Sequence, residues 1–119
     1  IKTLDAEQIA TTVDDGGSIA VVRVLSSDVE QKGTRSESVR IACELVEAIS
    51  GPATPALTLR RYTSGGDRVL EPGHLYVVST FPDRRFAPAL QLTGFVETTQ
   101  DQLAETVRAH RALLPAQGR

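Results

Sequence analysis

The sequence predicts a mainly β domain with one helix before the strands and one after them, and three observations carry that reading. Val39, Ile41, Cys43 and Leu45 alternate with Arg40, Ala42 and Glu44, the period of two that marks a half-buried strand. Other short runs rich in aliphatic and β-branched residues are separated by segments of Gly, Pro, Asp and Ser, the pattern of short strands joined by turns. Helical spacing of apolar residues occurs only towards the two ends of the chain. One irregularity adds detail. Val46 breaks the alternation ahead of Gly51-Pro52, and a phase slip late in a long strand predicts a bulge or bend, which curls a sheet towards closure.

Taken in order, Asp5-Ala-Glu-Gln8 reads as a capping box, with Asp5 accepting from a first-turn amide and Gln8 reaching back. Ile9 and Val13 then make a short apolar stripe, and Asp14-Asp15-Gly16-Gly17 ends the helix. Ser18 to Leu25 is the first strand. Ser26 to Ser38, polar and containing Gly33, reads as a loop. The strand beginning at Val39 follows, then the turn from Gly51 to Pro55. Ala56 to Tyr62 is the third strand, Thr63 to Asp67 a loop, and Leu70-Glu-Pro-Gly73 a tight turn. His74 to Phe81 is the fourth strand and Pro82 to Arg85 a hairpin turn. Phe86 to Val96 is the fifth strand, with Pro88 confined to its start or to an edge. In the last segment Leu103, Val107, His110 and Leu114 recur at helical spacing, with Thr99 or Asp101 as cap and Pro115 as stop.

Five short strands are best stabilised by closing on themselves, because closure removes exposed edges. The expected architecture is a five-stranded OB-type barrel, with an open α+β sheet as the other arrangement. At 119 residues there is chain for one domain. The expected division is a helical lead-in at 1–17, the barrel at 18–97, the C-terminal helix at 98–115 and a frayed tail at 116–119.

Composition limits function. Apolar residues make up 40% of the chain, an ordinary globular share. The net charge is -2, with a mild dipole: residues 1–50 hold nine acids and five bases, and residues 51–86 hold five Arg and three acids. The single cysteine rules out an intrachain disulfide and a zinc site built mainly from thiolates. No apolar run is long enough for a membrane-spanning helix, which takes about 20 residues. The chain starts at Ile1 rather than Met, which fits an exported protein whose targeting segment has been removed and fits a trimmed chain equally. The expected location is periplasmic, secreted or lipid-anchored, with the cytoplasm as the alternative. Many Ala and Arg beside few Lys point to a GC-rich bacterial source.

The stretches SIAVVRVLSS, ELVEAISGP and LEPGHLYVVS, followed by a strand and a final helix, give the chain a resemblance to the netrin-like, or TIMP-like, domain. That is the inhibitory domain of the tissue inhibitors of metalloproteinases and of their bacterial relatives. The resemblance implies an OB-type barrel that binds protein, with the N-terminal segment Ile1, Lys2 and Thr3 beside the loop Ser64, Gly65, Gly66, Asp67 and Arg68. The departures bear on activity. The inhibitors present an N-terminal Cys-x-Cys to the target's zinc, whereas this chain begins Ile1-Lys2-Thr3 and lacks the bracing disulfides. The zinc-directed mechanism does not carry over.

No catalytic constellation emerges. Cys43 falls in the apolar phase of its strand and reads as a small buried hydrophobe, with no His nearby in sequence to act as base. His74 and His110 are isolated, and neither has a carboxylate at metal-ligand spacing. Asp14, Asp15 and Asp83 sit where turns favour Asp. Gly16-Gly17 and Gly65-Gly66 lack the spacing and the lysine of a phosphate loop. No metal or cofactor is expected. Arg60, Arg61, Arg84 and Arg85 raise nucleic acid, but the chain has no Trp, two Tyr and three Phe, and most of these rings fall in apolar strand phases, leaving few stacking platforms. The default for these arginines is a solvated face, and some of them fit rim contacts to an acidic protein. The expected function is a non-enzymatic protein-binding module, with Arg60 and Arg61 joining the N-terminal segment and the 64–68 loop as contact positions. The alternatives are a protease-inhibitor-like domain, a single-strand-binding barrel and a structural or oligomer-forming domain.

Overall fold

In the computed structural model, which describes residues 1–62 and 70–115, two helices flank five strands. These are α1 (Ala6–Asp14), β1 (Ser18–Glu30), β2 (Ser38–Ser50), β3 (Ala56–Tyr62), β4 (Leu75–Pro82), β5 (Leu90–Thr98) and α2 (Leu103–Ala112). The strands close into a barrel in the order β1–β2–β3–β5–β4, with β4 returning to pair with β1, the arrangement of an OB-type barrel. All neighbours are antiparallel except β3 and β5, which meet in parallel at only Leu59↔Leu90 and Arg60↔Gln91. The open-sheet alternative is thereby set aside.

Two apolar clusters explain the strand sequences. Val22, Val24, Val39, Ile41, Cys43, Leu57, Leu59, Tyr76, Val78 and Leu92 fill the barrel. Leu4, Ile9, Ile19, Val21, Ile49, Val77 and Val107 form a second layer between the barrel wall and the helices. β1 and β4 contribute to both layers, so their sequences are nearly continuous apolar runs rather than alternations. α1 buries Ile9 completely in the second layer, a burial that stabilises by roughly 1.5–3 kcal/mol.

The phase slip in β2 is two bulges. Ala20 pairs with Ala48 and Ile19 with Ser50, leaving Ile49 unmatched; Val21 pairs with Glu47 and Val22 with Leu45, leaving Val46 unmatched. Both extra residues turn towards the helices, where Ile49 is buried and Val46 packs alongside it. Leu45, expected inside the barrel, is only half-buried because the register changes beside it. Beyond β2, Gly51 adopts φ +80°, and a Cβ there would press on the Gly17 carbonyl and Ser18.

Several boundaries differ from expectation. The predicted loop from Ser26 to Ser38 is mostly strand: β1 continues to Glu30, paired from Ser26↔Ala42 to Glu30↔Ser38. Only Gln31 to Glu37 connect the two strands. This part of β1 lies beyond a bulge at Leu25, and Val29 is its one apolar residue, so the apolar alternation that marks a strand is missing. β5 begins at Leu90 rather than Phe86, since residues 83–89 make a turn with a cis peptide at Ala87–Pro88. Its apolar phase also breaks. Ser79 pairs with Gly94 and Thr80 with Leu92, leaving Thr93 as a bulge. Leu90 and Leu92 therefore serve the barrel interior together with Phe95, while Val96 packs in the outer layer.

The capping box is half right. Asp5 Oδ1 accepts from Glu7 N at 3.2 Å, but Gln8 does not reach back. Its Nε2 donates to the Thr93 carbonyl at 3.0 Å and to Ser79 Oγ at 3.3 Å, engaging the bulged residue of β5. At the other end Thr99 Oγ1 accepts from Gln102 N at 3.3 Å. Thr99 thus closes the turn that precedes α2, and Gln102, the residue ahead of the helix, makes no side-chain cap.

Candidate functional site

β3 carries two neighbouring arginines, Arg60 and Arg61, in opposite phases near its end. Leu57 and Leu59 point into the barrel, and Arg61, two residues further in the same phase and opposite Val39, reaches the barrel mouth. Its guanidinium lies 5.7 Å from the centre of the Phe95 ring, within cation–π range. Phe95 in turn meets Tyr76 edge-on, with ring centres 6.0 Å apart. The Tyr76 hydroxyl accepts from Glu71 N at 3.0 Å. Burial above all pushes its phenol above the ordinary value, with the Glu97 and Glu71 carboxylates acting in the same direction.

Thr58, Arg60 and Tyr62 take the opposite phase and face outward. Arg60 stands across from Arg40, and two like charges in that position repel. It turns instead to Glu30, with an Nη2–Oε1 distance of 2.9 Å, and lies 5.2 Å from the Phe86 ring centre. Phe86, on the β4–β5 connection, is 7% exposed and packs 5.1 Å from Tyr62. Arg85 covers both rings, at 5.5 Å from Tyr62 and 5.7 Å from Phe86. Its guanidinium also binds Asp83 at 2.7 Å, and that contact holds the Asp83 carboxyl below the usual carboxylate range. The result is a layer of arginines and aromatic rings in which Tyr62, 43% exposed, is the accessible ring.

The N-terminal segment is anchored elsewhere on the barrel. Leu4 is buried, and its N–H donates to His110 Nε2 at 3.0 Å. Ile1 and Lys2 lie along a groove of about 510 Å³ that Leu70, Tyr76, Phe95 and Glu97 also line. Thr3 is half-buried behind them. The contact positions expected from sequence therefore divide into two regions. Ile1 and Lys2 line the same groove as Phe95, the ring on which Arg61 stacks, whereas Arg60 belongs to the outer layer with Tyr62, Phe86 and Arg85. Ser64, Gly65, Gly66, Asp67 and Arg68 lie outside the described residues, although Leu70, just beyond that loop, lines the same groove as Ile1 and Lys2.

The reactive side chains are held in other roles. Cys43 is 2% exposed in the barrel core, and burial pushes its thiol up to about 12, far from a nucleophile's range. His110 is enclosed and bonded at both ring nitrogens. His74 sits at the surface with Glu71 at 3.2 Å and Glu97 at 3.4 Å. Among the described residues no group of three or more His, Cys, Asp and Glu is arranged to hold a metal ion, and no helix is long and apolar enough to cross a membrane.

Sequence reasoning missed the outer layer because it assigned the rings to apolar phases and the arginines to solvent. The signal was present: Arg60 and Tyr62 are two residues apart on a strand, hence on one face, and Arg84-Arg85-Phe86 follows a turn. What local pattern could not show is that the two segments meet across the β3–β5 closure. Compared with known proteins, the chain matches no family model, no curated protein and no solved structure.

Proposed function

We propose that this chain is a non-enzymatic protein-binding barrel whose partner docks on the layer formed by Arg60, Tyr62, Arg85 and Phe86. The observation that carries the reading is the stacking of Arg85 over both the exposed Tyr62 ring and Phe86. Arginine and tyrosine held rigid on an aromatic base are the residues that dominate binding energy at protein interfaces. They also lose little side-chain freedom on docking, because stacking has already fixed them.

The same face of an OB-type barrel serves nucleic acid in other proteins, and here the charge balance supports protein. Arg60 is matched by Glu30 and Arg85 by Asp83, and only one of the two rings is open. A phosphodiester strand needs surplus positive charge and several exposed platforms. A protein surface with carboxylates and apolar groups needs neither. A TIMP-like relationship fits the order of elements, without the cysteine chemistry of the inhibitors, and a bacterial source fits the Ala- and Arg-rich composition.

The test is affinity capture from envelope extracts with wild-type protein, Tyr62→Ala and the double variant Arg84→Glu/Arg85→Glu, with melting temperatures recorded alongside. A partner retained by wild type and lost from both variants at unchanged melting temperature supports the layer. Steeply salt-dependent binding of a single-stranded oligonucleotide, lost in the same variants, would replace protein by nucleic acid.

A further inference from the structure

The lead-in is fastened to the rest of the domain at two separate places. Behind Asp5, α1 is held by Ile9, fully buried in the second layer, and by the bonds of Gln8 to Thr93 and Ser79. Ahead of Asp5 the fastening is different: Leu4 is buried and its N–H donates to His110 Nε2 at 3.0 Å. His110 is 0% exposed, and its Nδ1 lies 2.7 Å from the Thr106 carbonyl. These two neighbours fix opposite roles, since the amide supplies a proton to Nε2 and the carbonyl takes one from Nδ1. A ring that satisfies both is neutral.

We infer that His110 is an acid-sensitive latch: a proton taken up at Nε2 releases residues 1–4 and leaves the barrel and α1 in place. The imidazolium has a donor at each nitrogen, so it keeps the Thr106 bond but sets an N–H against the Leu4 N–H. Among the described residues no carboxylate forms an ion pair with the ring. The charged side chains of the surrounding elements point to water: Lys2 and Asp5 beside Leu4, Glu7 and Asp14 on α1, Glu47 on β2 and Glu97 on β5 are exposed. So are Glu105, Arg108 and Arg111 on α2 itself. Arg23 of β1 is paired with Glu44, and β4 carries no charge. A cation enclosed in that apolar layer is costly until the ring meets water. The latched form holds one proton fewer than the released form, so acid favours release. Release stops at Asp5 because neither Ile9 nor Gln8 is held through the ring. Ile1 and Lys2 line the groove with Tyr76 and Phe95, which in acid loses these two residues from its wall.

Nitrogen NMR of the His110 ring and hydrogen exchange, followed together in the full chain from about pH 8 to about pH 4.5, test this across the range where imidazoles ordinarily titrate. At the upper end the proton is expected on Nδ1, with Nε2 bare. As the ring takes its second proton, the protection factor of the Leu4 amide should fall about tenfold or more relative to that of Val77, the weight of one buried hydrogen bond. In His110→Gln, which has no ring to titrate, that ratio should stay constant. Asp5→Asn, which removes the carboxyl next to Leu4 and keeps a capping side chain, should release as wild type does. If the glutamine variant does not fold, the coincidence of ring protonation and Leu4 release in wild type decides. A proton on Nε2 at the upper end, or a protonated ring that leaves Leu4 protected, overturns the inference. So does a ring that stays neutral until Val77 also exchanges, or release that persists in His110→Gln.

Discussion

Leu4 N donates to His110 Nε2 at 3.0 Å, across 106 positions of sequence. A backbone amide can only donate, so Nε2 must present its lone pair, and Nδ1 then carries the proton that reaches the Thr106 carbonyl at 2.7 Å. The ring is a neutral clasp between the lead-in segment and α2. His110→Ala removes both bonds from a fully enclosed site, and the expected cost is about 2–4 kcal/mol in chemical denaturation. Hydrogen exchange separates a clasp from general packing. The Leu4 amide should lose protection in the variant well before barrel amides such as Val77, and uniform loss across the chain would refute the clasp.

Gln8 and Gly94 form a second tie between lead-in and barrel. The carboxamide reaches Thr93 and Ser79 only because residue 94 has no side chain: a Cβ there would collide with Gln8 Nε2, Oε1 and Cδ. Gly94→Ala is expected to expel the carboxamide and cost about 1–2 kcal/mol, the worth of its hydrogen bonds. In a Gln8→Ala background the same substitution should cost almost nothing. Additive costs in the double-mutant cycle would show that Gly94 is required for some other reason.

These contacts also show where sequence reading succeeds and where it stops. Strand identities were legible because Val39, Ile41 and Cys43 alternate, and because SIAVVRVL and LYVVS carry enough apolar residues to be buried on both faces. The β2 bulges were visible as a phase slip at Val46. Gln8 was not legible, since a capping box and a side chain aimed at a distant bulge share one local sequence. The part of β1 from Ser26 to Glu30 was read as a loop because Val29 is its one apolar residue. Of the candidate sites, Arg60 and Arg61 were picked out as a pair. Adjacent residues of a strand point to opposite faces, and the structure accordingly gives one to the outer layer and the other to the barrel mouth.

That division changes what charge reversal should do. Read as solvated, Arg60 could become Glu at no cost to stability. In the structure it is 25% exposed, bound to Glu30 and stacked on Phe86. Arg60→Glu would set a second carboxylate against Glu30 and strip the ring of its cover, and a loss of about 1–3 kcal/mol is expected. Arg85, 62% exposed, should tolerate Glu with little change in melting temperature. Thermal denaturation of the two variants decides. Equal stability would mean that the Glu30 pair and the Phe86 stack contribute nothing, and binding defects in Arg60 variants could then be read directly.

Cys43 ties stability to high pH. Its thiol rises from 9.0 to about 12 because burial in the barrel penalises the thiolate. The unfolded chain releases this proton near pH 9 and the folded chain does not, so the folded state holds more protons between the two values. Stability from this group is therefore complete below pH 9 and declines as pH climbs towards 12. Alkaline pH acts on the rest of the chain as well, so the measurement is a comparison. Wild type and Cys43→Ala are melted at pH 8 and again at pH 10.5, and the difference between them should shrink at the higher pH, because only wild type has a thiolate to gain on unfolding. In parallel, the native thiol should resist alkylation at pH 8 and react at once in denaturant. Rapid alkylation of the folded protein would mean that the barrel opens around Cys43 far more often than a core position should.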